Sequence, residues 1–130
     1  GGGTGEHAFA HAVNSLYNVH HGTGCAMFLA EVMAFNVPHC VDPYAPIAVA
    51  LGVDAHGVPA LDVAWAGVAA VRDLVSRCGI PTFSDLPITT QDLPAIARKV
   101  LEDQFSLTLN PVPIGPAEVE EILWKCYERP

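Results

Sequence analysis

Apolar residues recur at intervals of three and four along nearly the whole chain, and this spacing limits the possible folds more than any other feature of the sequence. Residues at these intervals lie on one face of an α-helix. Runs in which apolar and polar residues alternate, as they do in a half-buried β-strand, are never longer than four residues. The sequence therefore predicts an all-α fold, a bundle of about six helices.

Glycine, proline and capping residues divide the chain into these helices. Gly22 and Gly24 predict a break after the first helix, and Gly79 predicts the end of the fourth. A proline-rich segment, 80–88, then predicts a connector without helix, as does 107–116. The predicted helices cover 6–17, 25–35, 42–52, 61–78, a segment from about 91, and a segment from 116.

The length of the chain indicates a single domain, and its low charge content indicates a partly covered surface. The chain has 130 residues, without an internal repeat or a dividing linker, and residues 1–130 are predicted to form a single helical domain. Only 15% of the residues are charged, while 51% are hydrophobic. Because this charge content is low even for a globular domain, we expect a second copy or a missing domain to cover part of the surface. Trp65 and Trp124 are expected to lie in the core, and Leu16 is expected on the apolar face of the first helix.

The net charge and the cysteines exclude several function classes. A formal charge of −8 without a basic stripe argues against nucleic-acid binding and against an anionic membrane surface. No apolar run is as long as a membrane span. The four cysteines include no C-x-x-C pair and are expected to be free, mostly buried thiols. With no secretory leader pattern either, a cytoplasmic location is expected.

The segment HAFAHAVNSLYNVHHG, residues 7–22, holds four of the chain's six histidines. His7 and His11 are four residues apart, so a helix places both imidazoles on one face, where they can chelate a divalent metal. His20 and His21 follow in a predicted loop, and one of them could turn inward as a third ligand. The alternative interpretation is that all four are separate polar residues on a helix edge and a loop.

A histidine that binds a metal through one ring nitrogen usually forms a hydrogen bond through the other. We therefore expect residues near this segment to form that hydrogen bond. Three nearby residues could serve: Asn14, Tyr17 and Asn18. Glu6 is the only carboxylate near this segment in the sequence, and it is expected to point away from its neighbour His7 on the helix.

The same segment resembles the group III iron-containing alcohol dehydrogenases. The resemblance rests on the H-x-x-x-H of His7 and His11, the HG of His21 and Gly22, and an apolar helix ending in FN. It continues through AVRDLVSRCGIP, TTQDLPAIARKVLED and NPVPIGPAEVEEILWKCYE, and so covers nearly the whole chain. It implies the all-helical C-terminal domain of that family.

The resemblance also implies a metal site. His7 and His21 correspond to two of the four ligands of one divalent metal, Fe²⁺ or sometimes Zn²⁺, whose other ligands are an Asp and a His on an earlier helix. His11 corresponds to a histidine beside the metal and the nicotinamide, with a role in substrate positioning or proton relay, and is therefore the expected catalytic residue. The implied activity is NAD(P)-linked oxidoreduction of alcohols and aldehydes.

By this resemblance, the family's NAD(P)-binding α/β domain and the other two ligands would precede Gly1. We therefore expect that this chain alone does not bind NAD(P) and is not a competent dehydrogenase, whether it is a fragment or a stand-alone module. The sequence departs from the family pattern at Asn14, His20 and Val112, where glycine, proline and arginine are usual. Weak metal binding by His7 and His21, with His11 or His20 as a third ligand, and a purely structural, self-associating module remain alternatives.

Overall fold

The computed structural model describes residues 4–129, and within this range it contains seven α-helices and no β-strand. Two short 3-10 turns, Val37–His39 and Phe83–Asp85, lie between helices. The predicted all-α fold is confirmed. The helices are α1 (Gly5–Tyr17), α2 (His21–Asn36), α3 (Val41–Ala50), α4 (Ala60–Arg77), α5 (Leu93–Glu102), α6 (Gln104–Thr108) and α7 (Pro116–Glu128).

The main core lies where α1 and α2 pack against α5 and α7. Phe28 of α2 is fully buried between Phe9 of α1 and Phe83, with ring centroids 5.2 Å and 5.6 Å away. A smaller core joins the opposite side of α2 to α4, and α3 packs on α4. The central helix α2 therefore contributes to both cores, which fixes its position and that of the side chains at its start.

The predicted break at residues 22–24 is wrong, because α2 runs through it from His21. Gly24 is buried where α1 crosses α2, and a Cβ added there would lie 3.1 Å from both Cα and Cβ of Ala10. This glycine is required by a close approach of two backbones rather than by the end of a helix. Only residues 18–20 separate the two helices, and Asn18 turns the chain with a φ of 55°, a left-handed conformation that asparagine tolerates.

The structure also moves the start of the fifth helix and adds a short one. A turn in which the Thr89 backbone N–H and hydroxyl both donate to Asp92, each at 2.7 Å, precedes α5, which begins at Leu93 instead of about 91. Helix α6 lies partly within the segment predicted to be a loop. Asp103 caps α6 by accepting a hydrogen bond from the Ser106 N–H at 3.1 Å.

Several expectations about burial are wrong. Leu16, Trp65 and Trp124 are 45%, 39% and 45% exposed, because each lies outside the buried stripe of its helix. The four cysteines are free as expected, but only Cys126 is buried, while Cys78 is exposed. Among the described residues, no helix has the length and apolarity needed to cross a membrane.

Candidate metal centre

Two histidines meet where the start of α2 lies beside α1. The ring centroids of His7 and His21 are 5.1 Å apart, although the residues are fourteen positions apart in the sequence. Cys25 lies one turn after His21 on α2, with its Sγ 3.6 Å from His21 Nε2. One ligand atom from each of these three residues lies within 4.8 Å of the other two. The fold thus brings together the two histidines that the family resemblance implies as metal ligands, with a thiol beside them.

The carboxylate of Glu6 orients His7. Glu6 is buried, accepts a hydrogen bond from the Thr4 hydroxyl, and places Oε1 3.3 Å from His7 Nδ1. A proton held on Nδ1 leaves Nε2 with a free lone pair, which is the usual arrangement of a metal-binding histidine with a carboxylate behind it. The expectation that Glu6 and His7 diverge is therefore wrong, because the longer Glu6 side chain reaches around the helix to the ring.

Asp103 performs the same role for His11. Its Oδ2 lies 2.6 Å from His11 Nδ1, and the same carboxylate accepts hydrogen bonds from the backbone N–H and the hydroxyl of Ser106. Burial alone would raise the pKa of Asp103, but the hydrogen bonds from Ser106 and His11 outweigh it and lower this pKa. A charged, fixed carboxylate thus holds the exposed His11 ring, which stacks on His21 with centroids 5.0 Å apart.

The surroundings of the cluster shift the pKa of His21 and the pKa of Cys25 in opposite directions. Desolvation, followed by the proximity of His11, His7 and His20, lowers the pKa of His21. The neutral imidazole that metal binding requires is therefore favoured at neutral pH. Desolvation and the charge of Glu6 raise the pKa of the Cys25 thiol.

The other residues singled out in the sequence lie around this cluster rather than in it. His20 is exposed, immediately before α2, and is not part of the group of converging ligand atoms. The side-chain amide of Asn14 donates to the Val19 carbonyl at 2.8 Å, within the turn between α1 and α2. The Val112 carbonyl accepts from the Asn110 side chain at 2.7 Å. In the part of the chain that the structure describes, the groups behind the histidine rings are the two carboxylates.

Sequence reasoning missed Cys25 and Asp103. Cys25 could have been found by its four-residue spacing from His21, but the glycines between them were interpreted as a break in the helix. Asp103 is 92 residues from His11, and no local pattern connects residues so far apart. The packing of α5 and α6 against α1, which places the residue between them beside α1, brings this carboxylate to the ring.

The donors suit a divalent transition metal. Imidazole binds zinc, iron, copper and nickel, and a thiolate adds affinity for the softer of these metals. His21 and His11 are exposed, and His7 is half-buried, so the cluster faces outward. Further ligands can therefore approach these side chains without disturbing the core.

The geometry defines an all-α module in which imidazole and thiol donors converge on one edge of α1 and α2. The model of the Fe-containing alcohol dehydrogenase family, C-terminal, matches residues 2–127. The chain belongs to this family, and the matched region is the family's C-terminal part.

Relatives with named activities match different shares of this chain. A 1,3-propanediol dehydrogenase of Klebsiella pneumoniae is 34% identical over 122 residues, which are 93% of this chain and 31% of the relative. A methanol:N,N-dimethyl-4-nitrosoaniline oxidoreductase of Amycolatopsis methanolica is 43% identical over 87 residues, or 66% of this chain and 19% of the relative. The chain thus spans about a third or less of the length of these relatives.

Solved structures also match nearly the whole of this chain but only about a third of their own length. A crystal structure of a 1,3-propanediol oxidoreductase matches with a TM-score of 0.88 and 30% identity over 95% of this chain and 32% of that protein. An alcohol dehydrogenase from Oenococcus oeni matches with a TM-score of 0.88 and 25% identity over the same shares. The bundle is therefore the helical fold found in one part of these longer proteins.

Proposed function

We propose that this chain provides two ligands, His7 and His21, of a divalent-metal site in an NAD(P)-linked alcohol or aldehyde oxidoreductase. The observation that carries the proposal is the approach of these two rings to 5.1 Å across α1 and α2, with a carboxylate behind His7. The names of the relatives support short alcohols as the substrate class, since they include methanol and 1,3-propanediol. Fe²⁺ is the metal that the family name favours, with Zn²⁺ as the alternative.

The residues of the site have different proposed roles: holding the metal, moving a proton and orienting the histidine rings. A divalent metal, when bound, polarises an alcohol or carbonyl oxygen. His7 and His21 hold it, and Glu6 fixes the His7 ring so that one nitrogen stays free. In this proposal His11 is the catalytic residue, which would take the proton of the hydroxyl during oxidation and return it during reduction. Asp103, 2.6 Å from the other ring nitrogen, stabilises the imidazolium that forms.

We propose further that the polypeptide of residues 1–130 does not catalyse this reaction alone. The family resemblance implies two further metal ligands, an Asp and a His, that are not among His7, His21 and their neighbours, and residues 4–129 contain no β-strand from which a dinucleotide-binding βαβ unit could be built. The remaining ligands and the cofactor site are assigned to the preceding part of the complete family enzyme.

The test mixes the purified chain with NADH or NADPH, short aldehydes, and Fe²⁺ or Zn²⁺, and follows nicotinamide absorbance. The Klebsiella pneumoniae 1,3-propanediol dehydrogenase serves as the positive control. We expect no oxidation of the reduced cofactor above a protein-free blank. Turnover by the wild-type chain that disappears in His21→Ala would show that the chain is competent by itself.

A second candidate function, self-association, is supported by an exposed apolar surface on α3, α4 and the segment between them. Seven large side chains there are each at least 39% exposed: Ile47, Val49, Leu51, Val58, Leu61, Trp65 and Leu74. Such a surface is costly to leave in water, and we propose that a second copy of this chain covers it. Light scattering is expected to give at least a dimer, and Leu61→Lys with Trp65→Lys to give a monomer. A monomeric wild-type chain at high concentration contradicts self-association.

A reducing compartment, such as the cytoplasm, is also part of the proposal. All four cysteines are free, and Cys78 is exposed, where a thiol would be open to oxidation in a secreted protein.

A further inference from the structure

We propose that Cys25 is a third protein ligand of the metal site, binding a divalent metal such as zinc or cobalt through its thiolate. The inference rests on the proposed function, because it assumes that His7 and His21 hold a metal. It goes beyond that function by adding a ligand that neither the sequence pattern nor the comparisons assign.

The distance between the thiol and His21 is the first support. In a zinc site the metal lies about 2.3 Å from sulfur and about 2.0–2.1 Å from nitrogen, so tetrahedral angles put the two ligand atoms about 3.6 Å apart. The separation of Cys25 Sγ and His21 Nε2 is 3.6 Å. The two atoms are therefore already spaced as ligands of one tetrahedral ion.

The helix keeps this pair together. His21 and Cys25 are four residues apart in the first turns of α2, so their side chains lie one above the other on the same face. Between them, Gly24 packs directly on the α1 backbone at Ala10, which fixes that face of α2 against α1. The position of Cys25 thus follows from the same packing that brings His21 to His7.

His7 completes the set from the other helix. The ligand atoms of all three residues lie within 4.8 Å of one another, wider than the about 3.3–3.6 Å that tetrahedral zinc geometry requires. His7 is half-buried and on the rim of the cluster, so a small shift of its ring that keeps Nδ1 beside Glu6 can close the difference without movement of the backbone. In the isolated chain, these three side chains would therefore occupy three positions of a tetrahedral zinc ion.

Binding is a proton exchange without oxidation or reduction. The S–H bond of Cys25 breaks, its proton goes to solvent, and a sulfur lone pair forms the bond to the metal. A direct hydrogen bond between thiol and imidazole, with no metal, would satisfy the same 3.6 Å distance. The experiment must therefore detect the sulfur–metal bond itself.

Cobalt(II) provides that readout, because thiolate ligation gives a near-ultraviolet charge-transfer band in addition to the visible bands of the ion. The purified reduced chain is titrated with Co²⁺ as wild type, Cys25→Ser, Cys78→Ser and the double variant His7→Ala/His21→Ala. We expect the near-ultraviolet band in wild type and in Cys78→Ser, where the altered thiol is exposed and outside the cluster. In Cys25→Ser the band is lost, and the apparent zinc affinity falls at least about tenfold.

The outcomes separate the two proposals. Visible Co²⁺ bands that require His7 and His21 but lack the charge-transfer band overturn the role of Cys25 and leave the proposed function standing. Equal Co²⁺ uptake by wild type and the double histidine variant overturns the proposed function. Should Cys25→Ser fail to fold, alkylation of the wild-type chain decides: zinc is expected to protect Cys25 but not Cys78 from iodoacetamide, and equal modification of both contradicts the inference.

Discussion

Replacing Gly24 with leucine is expected to lower the free energy of unfolding by about 1–3 kcal/mol, the usual cost of overpacking a tightly packed interior. A Cβ at this position would lie 3.1 Å from the Cα of Ala10, and a backbone atom cannot move aside as a flexible side chain can. Helices α1 and α2 must therefore separate. Urea unfolding followed by circular dichroism measures the loss.

Gly22→Leu is the matched control for this prediction. Gly22 lies two residues earlier on the same helix, and a Cβ there would meet only the His20 ring, at an ordinary contact distance of 3.7 Å. Its effect is expected to be within about 1 kcal/mol of zero, since leucine is also the better helix former. Equal destabilisation by the two substitutions would show that the close approach at Gly24 does not determine how α1 and α2 pack.

Loss of the two histidine ligands is expected to have the largest effect on metal affinity. His7→Ala and His21→Ala should each weaken Zn²⁺ binding by more than the about 10–100-fold that loss of an outer-shell partner costs. Each variant removes a direct imidazole donor, and the neutral form of His21 is favoured by its lowered pKa. Isothermal titration of the purified chain with Zn²⁺, at one neutral pH, measures both affinities.

His39→Ala and His56→Ala are the controls, since both histidines are exposed and lie outside the converging group. Neither substitution is expected to change the Zn²⁺ affinity by more than about twofold, because distant sites without shared partners usually act independently to within about 0.3–0.5 kcal/mol. If His56→Ala weakens binding as much as His21→Ala does, zinc is held by scattered surface histidines instead of by the cluster.

The helical fold could be predicted because apolar spacing is local information. The intervals of three and four residues gave α1, α4 and α7 nearly as they are, since each presents one buried stripe to the core. For the site, the family resemblance predicted the pair His7 and His21, where helical spacing alone suggested His7 and His11, and the assignment to a metal stays a prediction. The ligand atoms of His7 and His21 converge, and His11 lies beside them on Asp103.

The errors have a common physical origin in contacts between distant segments. Gly24 has the same sequence signal whether it ends a helix or admits another backbone, and only the position of α1 distinguishes the two. The misplaced start of α2 then hid the spacing between His21 and Cys25. Trp65 was expected in the core because it is large and apolar, but its neighbours Val63, Ala64 and Val68 form the buried stripe of α4.

The central claim is that His7 and His21 hold one divalent metal together. The most direct test is a crystal structure of the chain grown with Zn²⁺, with anomalous diffraction data collected at the zinc absorption edge. We predict an anomalous peak about 2.0–2.1 Å from one ring nitrogen of each histidine. Zinc bound at other side chains, with no peak between His7 and His21, would contradict the claim.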